Sequence, residues 1–105
     1  MVRITEELED GRIWVVRAGR VVTVGVTDRV ISEIGSLESV ELVGEGEKID
    51  ESTPLATLNG ESGSYEVMGH FEGIVLEVND GLVDHPENVE QDPLDEGWLV
   101  RIQLA

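Results

Sequence analysis

Arg12-Ile-Trp-Val-Val-Arg17, Ala18-Gly19-Arg20 and Val21-Val-Thr-Val-Gly-Val26 form the stretch on which the reading of this chain turns. Two runs rich in β-branched residues stand either side of a short glycine-centred break, the pattern of two strands joined by a tight hairpin. That pair opens a sheet. Beyond it, Thr27 or Asp28 offers a side-chain oxygen to cap a short helix over Arg29 to Ile34, with Val30, Ile31 and Ile34 on one face and Gly35 at its stop. Strand character returns at Leu37 to Leu42, fades through Gly44 to Lys48 and resumes at Leu55 to Leu58. Asn59-Gly60 then marks a second hairpin, because this dipeptide accepts the positive φ angles of a two-residue turn. Glu61-Ser62-Gly63-Ser64 follows as an exposed, flexible tip. Tyr65 to Met68 and Gly73 to Asn79 give further strands, Pro86 starts a brief helix running to Gln91, and Trp98 to Leu104 closes the sheet. Short strands spaced by glycine and acidic turns predict an all-β fold, mainly β with short helices, built as a sandwich or barrel. The acid-rich residues 1–11 are expected to form a loosely held N-terminal arm, leaving 12–105 as the domain proper.

Composition bounds the chemistry. The chain has 105 residues, enough for one domain with a modest core, and is 40% hydrophobic but only 4% aromatic, so its interior must be built from Val, Ile and Leu. It has no cysteine, hence no disulfide, thiolate nucleophile or zinc ribbon. No stretch approaches the ~20 apolar residues of a membrane helix, and the polar, acidic start does not read as a signal peptide, which together predict a cytoplasmic protein. Twenty-three Asp and Glu against seven Lys and Arg give a formal charge of −16. Clustered cations are what phosphate backbones and anionic lipids require, so nucleic acid and membrane partners are excluded, while a basic protein partner is compatible. The acidity also keeps the chain soluble and would suit a salty cytoplasm.

Chemistry-bearing patterns are few. Gly60-Glu61-Ser62-Gly63-Ser64 approaches a nucleophile elbow, but Ser64 stands where glycine is needed and no helix follows, so it reads as a turn. His70 and His85, with Asp84 and Glu87 nearby, could supply nitrogen and oxygen ligands, yet the spacing matches no metal motif and two isolated turn histidines is the better reading. Gly44-x-Gly46 lacks the following helix and positive field that a phosphate needs. Trp14 and Trp98 each begin an apolar run and read as packing residues. Lys48, the chain's one lysine, reads as a solvated surface side chain.

Three stretches carry a resemblance to a known family: Thr-Val-Gly-Val-Thr-Asp over 23–28, Gly-Ile-Val-Leu-Glu-Val-Asn-Asp over 73–80, and His-Pro-Glu-Asn-Val-Glu-Gln-Asp-Pro-Leu-Asp-Glu-Gly-Trp-Leu-Val-Arg-Ile over 85–102. From Trp14 to Ala105 the chain resembles the H protein of the glycine cleavage system, a lipoyl carrier. The resemblance implies the barrel-sandwich hybrid of lipoyl domains, a protein without turnover of its own, and protein partners: a pyridoxal-phosphate decarboxylase, a folate-dependent aminomethyl transferase and a flavin dehydrogenase. It also places the family's attachment hairpin, Glu-Ser-Val-Lys-Ala, on Asn59-Gly60-Glu61-Ser62-Gly63, so that Ser62 stands at the lipoyl-lysine position and the attachment site is degenerate. Further departures are Arg12-Ile13, where the family usually has His-Glu, and His70, where proline is usual. The expectation is therefore a protein with no lipoate and with neither catalytic nor metal-binding residues. It would act as a binding or regulatory module on glycine cleavage or other lipoate-linked enzymes. The alternatives are an active lipoyl or aminomethyl carrier with an unusual attachment, and a small acidic enzyme using His70 or His85 with carboxylates.

Overall fold

A computed structural model describes Ile4 and residues 6–105. In chain order the elements are β1 (Glu6–Leu8), β2 (Ile13–Ala18), β3 (Val21–Val26), α1 (Asp28–Ile34), β4 (Leu37–Leu42), β5 (Lys48–Ile49), β6 (Pro54–Gly60), β7 (Gly63–Met68), β8 (Gly73–Val78), α2 (Gly81–Asp84), α3 (Glu87–Gln91) and β9 (Val100–Leu104). They form a six-stranded sheet ordered β1-β2-β3-β9-β8-β5 and a three-stranded sheet ordered β4-β6-β7. Every strand pair is antiparallel. The mainly-β architecture expected from the sequence is the one found, with two facing sheets rather than a closed barrel.

Strand periodicity puts Ile13 and Val15 of β2, Val22, Val24 and Val26 of β3, and Val100 and Ile102 of β9 on the inner face of the large sheet. Leu55, Ala56, Leu58 and Val67 face them from the small sheet, and Val30, Ile34, Leu82 and Val89 close the core from the three helices. Each such Val, Leu or Ile side chain contributes about 1.5–3 kcal/mol on burial, which is how a chain so poor in aromatics holds together. Register shifts in β6 near Leu55 and in β8 near Leu76 break the simple alternation. The β6 shift buries Leu55 and Ala56 in succession; the β8 shift turns both Leu76 and Glu77 outward.

The N-terminal reading needs correction. Residues 1–3 and 5 lie outside those described, but Glu6–Leu8 is not a loose arm: it pairs with β2 from Glu6↔Val15 to Leu8↔Ile13 as the outer strand of the large sheet. An Arg17–Glu6 ion pair at 2.9 Å reinforces it. The helix at Asp28–Ile34 stops at Gly35, φ 81°, as expected, but neither Thr27 nor Asp28 caps it with a side chain. Thr27 instead donates its hydroxyl backwards to Gly11 O at 2.6 Å, tying the start of α1 to the β1–β2 turn. The predicted helix from Pro86 is found as Glu87–Gln91, preceded by an unforeseen turn of helix, Gly81–Asp84. Trp98 lies in the loop before β9 and not in the strand; the Arg101 guanidinium stacks on its ring, 4.4 Å from the centroid.

Candidate functional site

The hairpin singled out by the sequence lies where β6 and β7 meet. The two strands pair from Pro54↔Met68 to Gly60↔Gly63, so the two-residue turn is Glu61-Ser62 and not Asn59-Gly60. Neither turn residue has positive φ, so the property for which Asn-Gly is favoured in hairpins is not used. Asn59 sits in the strand, where its Nδ2 donates to Ser39 Oγ at 3.0 Å and Glu41 Oε2 at 3.2 Å across the small sheet. Residues 61–64 are exposed, as expected.

The tip is nevertheless tethered. Ser62 N–H donates to Ile34 O at 2.8 Å and Glu61 N–H to Ser36 O at 3.0 Å. A helix leaves its last carbonyls without intrahelical partners, and here the hairpin turn supplies donors at the end of α1. Two glycines permit the approach. A Cβ on Gly60 would stand 2.4 Å from Ile34 O, and one on Gly35 would stand 2.7 Å from Glu61 Cγ and 3.1 Å from Ser62 Oγ. The flexible tip expected from the sequence is thus a fixed one, held between α1 and its own strands.

What this site offers chemically is a hydroxyl and a carboxylate. Lipoate is held on a protein through an amide to a lysine amine, and Asn59, Gly60, Glu61, Ser62 and Gly63 supply no such amine. Lys48 lies on β5, in the other sheet, paired across from Ile74. The residues of this hairpin therefore do not fit an amide-linked lipoyl group.

The histidines do not converge. His85 Nδ1 lies 3.2 Å from Glu87 Oε1 on the surface. His70, with φ 52°, places Nε2 at 2.5 Å from Glu9 Oε2. Among the described residues no group of three or more His, Asp or Glu side chains is arranged to hold a metal ion. A constellation that sequence reading missed does form around Glu9, because Tyr65 OH donates to its other oxygen, Oε1. Partial burial opposes ionisation of Glu9, but the bonds from Tyr65 and His70 outweigh it and hold the carboxyl below its ordinary range. Burial, then the bond to Glu9, pushes the Tyr65 hydroxyl up. Glu9 and His70 lie 61 residues apart, and no spacing rule links them.

With fold and hairpin established, comparison with known proteins gives a consistent result. The glycine cleavage H-protein family matches residues 2–105. A glycine cleavage system H protein from Rubrobacter xylanophilus is 35% identical over 92 residues, covering 88% of this chain and 73% of that protein. One from Geobacillus kaustophilus is 33% identical over 102 residues, covering 97% and 77%. The crystal structure of a glycine cleavage system H protein from Mycobacterium marinum superposes with a TM-score of 0.82 at 24% identity, over 92% of this chain and 81% of that one, a likeness of fold. By sequence along nearly its whole length, the chain belongs to the glycine cleavage H-protein family.

Proposed function

We propose that this protein is an H-protein-like module that bears no lipoyl group and works by docking on enzymes that otherwise receive a lipoyl carrier, as a binding or regulatory partner. The observation that carries the reading is the hairpin turn itself: Glu61-Ser62 occupies the exposed tip, and the one lysine lies in the opposite sheet. A serine hydroxyl has neither the amine that forms the amide nor the length of stem that lets an arm travel. Membership of a family of carriers, which shuttle intermediates and do not turn over substrate, supports a non-enzymatic role with protein partners. The turn is fixed to α1, and a preorganised surface loses little freedom when a partner engages it. Among the described residues no helix is long and apolar enough to cross a membrane.

The test is direct. Expressed with a lipoate ligase and lipoic acid, the protein should keep its unmodified intact mass. The variant Ser62→Lys combined with Asn59→Glu should gain a lipoyl group at position 62. A lipoyl mass increase on the natural protein, mapped by peptide sequencing to Lys48 or elsewhere, would overturn the reading in favour of a carrier with an unusual attachment. Failure of both proteins to be modified would show that the hairpin has lost recognition by the ligase as well as the amine.

A further inference from the structure

In a chain of formal charge −16, one broad surface is almost free of carboxylates, the outer face of the large sheet. Strand alternation sends the core residues inward and leaves two cross-strand rows pointing away from the small sheet. Pairing aligns Ala18, Val21, Gln103, Ile74 and Lys48 in the first row. Val16, Thr23 and Arg101 make the second, which ends on Leu76 and Glu77 at the β8 register shift. Ile74 and Leu76 are each 44% exposed, unusually open for large apolar side chains. Glu77 is the one acid in the two rows, and Arg101 already bonds it at 2.7 Å. Lys48 forms no ion pair among the described residues. The small sheet has the opposite character: its outer row aligns Glu41, Thr57 and Glu66, with a carboxylate on either side of the threonine.

We propose that two copies of this chain pair through this face, sheet against sheet, about a two-fold axis that lies along the rows. Charge selects the occupant. A basic partner is drawn to the carboxylates elsewhere, whereas two copies of so acidic a body approach closely only through surfaces that lack them. The face is also complementary to itself. A two-fold axis along the rows lays the first row of each copy over the second row of the other, the reciprocal contact that an isologous interface requires. Ile74 then meets Leu76 and Gln103 lies over Arg101. Lys48 is offset by one strand spacing, about 4.8 Å, from Glu77 of the second copy, within reach of its stem. The lysine without an ion pair and the single acid of the face are thereby brought together twice.

Area sets the strength. The strands β2, β3, β9 and β8, spaced about 4.8 Å apart and about 20 Å long, give a footprint on the order of 400 Å² per copy. That is the low end of specific interfaces, so the pair is weak and its population depends on concentration. Repulsion between the two acidic bodies opposes it, and salt screens that repulsion. The Glu61-Ser62 turn belongs to the small sheet and stays outside the contact, so pairing does not depend on what that turn engages.

Sedimentation equilibrium of the full chain, over rising protein concentration in about 0.1 M and about 1 M sodium chloride, reads the pairing. The expected result is a monomer–dimer equilibrium that tightens as salt is raised. Ile74→Glu puts a carboxylate into the contact on both sides and should raise the dissociation constant on the order of a hundredfold, about tenfold for each copy. Val83→Glu makes the same change on α2, at a position 56% exposed and off the face, and should pair like the natural protein. Both substitutions are at exposed positions, and circular dichroism checks that each variant keeps the fold. A natural protein that stays monomeric at the highest concentration in high salt would overturn the proposal. So would an Ile74→Glu variant that pairs undiminished, a Val83→Glu variant that loses pairing as fully, or an association that weakens as salt is raised.

Discussion

Gly60 decides more about the candidate site than Ser62 does. Its bare α-carbon faces Ile34 O so closely that any side chain would stand 2.4 Å from a backbone atom that cannot swing aside. Gly60→Ala should force the turn off the end of α1 and cost about 1–3 kcal/mol, by overpacking and by loss of the Ser62 bond. Urea unfolding checks the cost, and faster exchange of the Ser62 amide checks the mechanism; a variant as stable as the natural protein, with that amide still protected, would show that the contact is slack. Residue by residue, the place of Ser62 at an exposed hairpin was legible because turn chemistry and family resemblance agreed. The centre of the turn was not. Asn59-Gly60 is a strong local signal, but local signals do not contain Ile34 O, and the approach to that carbonyl gives Gly60 its use while Asn59 bonds across the sheet.

At the level of elements, the packing of β2 shows why alternation alone understates burial. Ile13, Trp14 and Val15 are all buried in succession, although a half-solvated strand would bury every second residue. Ile13 and Val15 enter the shared core, while the Trp14 indole lies against Gly25 of β3 and its Nε1 donates to Pro93 O at 2.8 Å in the 92–98 loop. That loop is itself stitched down by Asn79, whose Nδ2 donates to Glu96 O and Trp98 O, both at 2.9 Å. Trp14→Phe should remove one bond, leave Pro93 O short of a donor and open a void. The loss should be about 1–3 kcal/mol, read as a lower denaturant midpoint with an unchanged slope. A midpoint within experimental error of the natural protein would mean that the loop does not depend on the indole. The main strands and two of the helices were readable because each carries its own periodicity or punctuation. β1 was not, since three residues with a single leucine carry no period; what makes it a strand is the free edge of β2 and the cation at Arg17.

For the molecule as a whole, charge is the dominant unbalanced quantity. A formal −16 on 105 residues places carboxylates close together over much of the surface, and their repulsion opposes the compact state. Screening shortens that repulsion from about 10 Å at 0.1 M salt to about 3 Å at 1 M. Melting temperature should therefore rise with sodium chloride, and for a domain of this size a gain of about 1 kcal/mol corresponds to roughly 4–8 °C. A flat or falling melting temperature would mean that the ion pairs of Arg12, Arg17 and Arg101 lose as much to screening as the carboxylates gain. The overall architecture was legible because patterning and resemblance pointed to the same sheets. The fixing of the hairpin to α1 was not, because it is made of backbone bonds, which composition and side-chain spacing do not encode. That fixing has a mechanical consequence. A hairpin free at its tip is a beam anchored at one end, and it bends readily under a small lateral load. This one is propped near its far end as well, by the amide of Ser62 on the last residue of α1 and that of Glu61 on Ser36 just beyond it. A propped beam deflects much less, and part of a push on the tip is borne by the end of α1. A partner that engages this turn must conform to its shape.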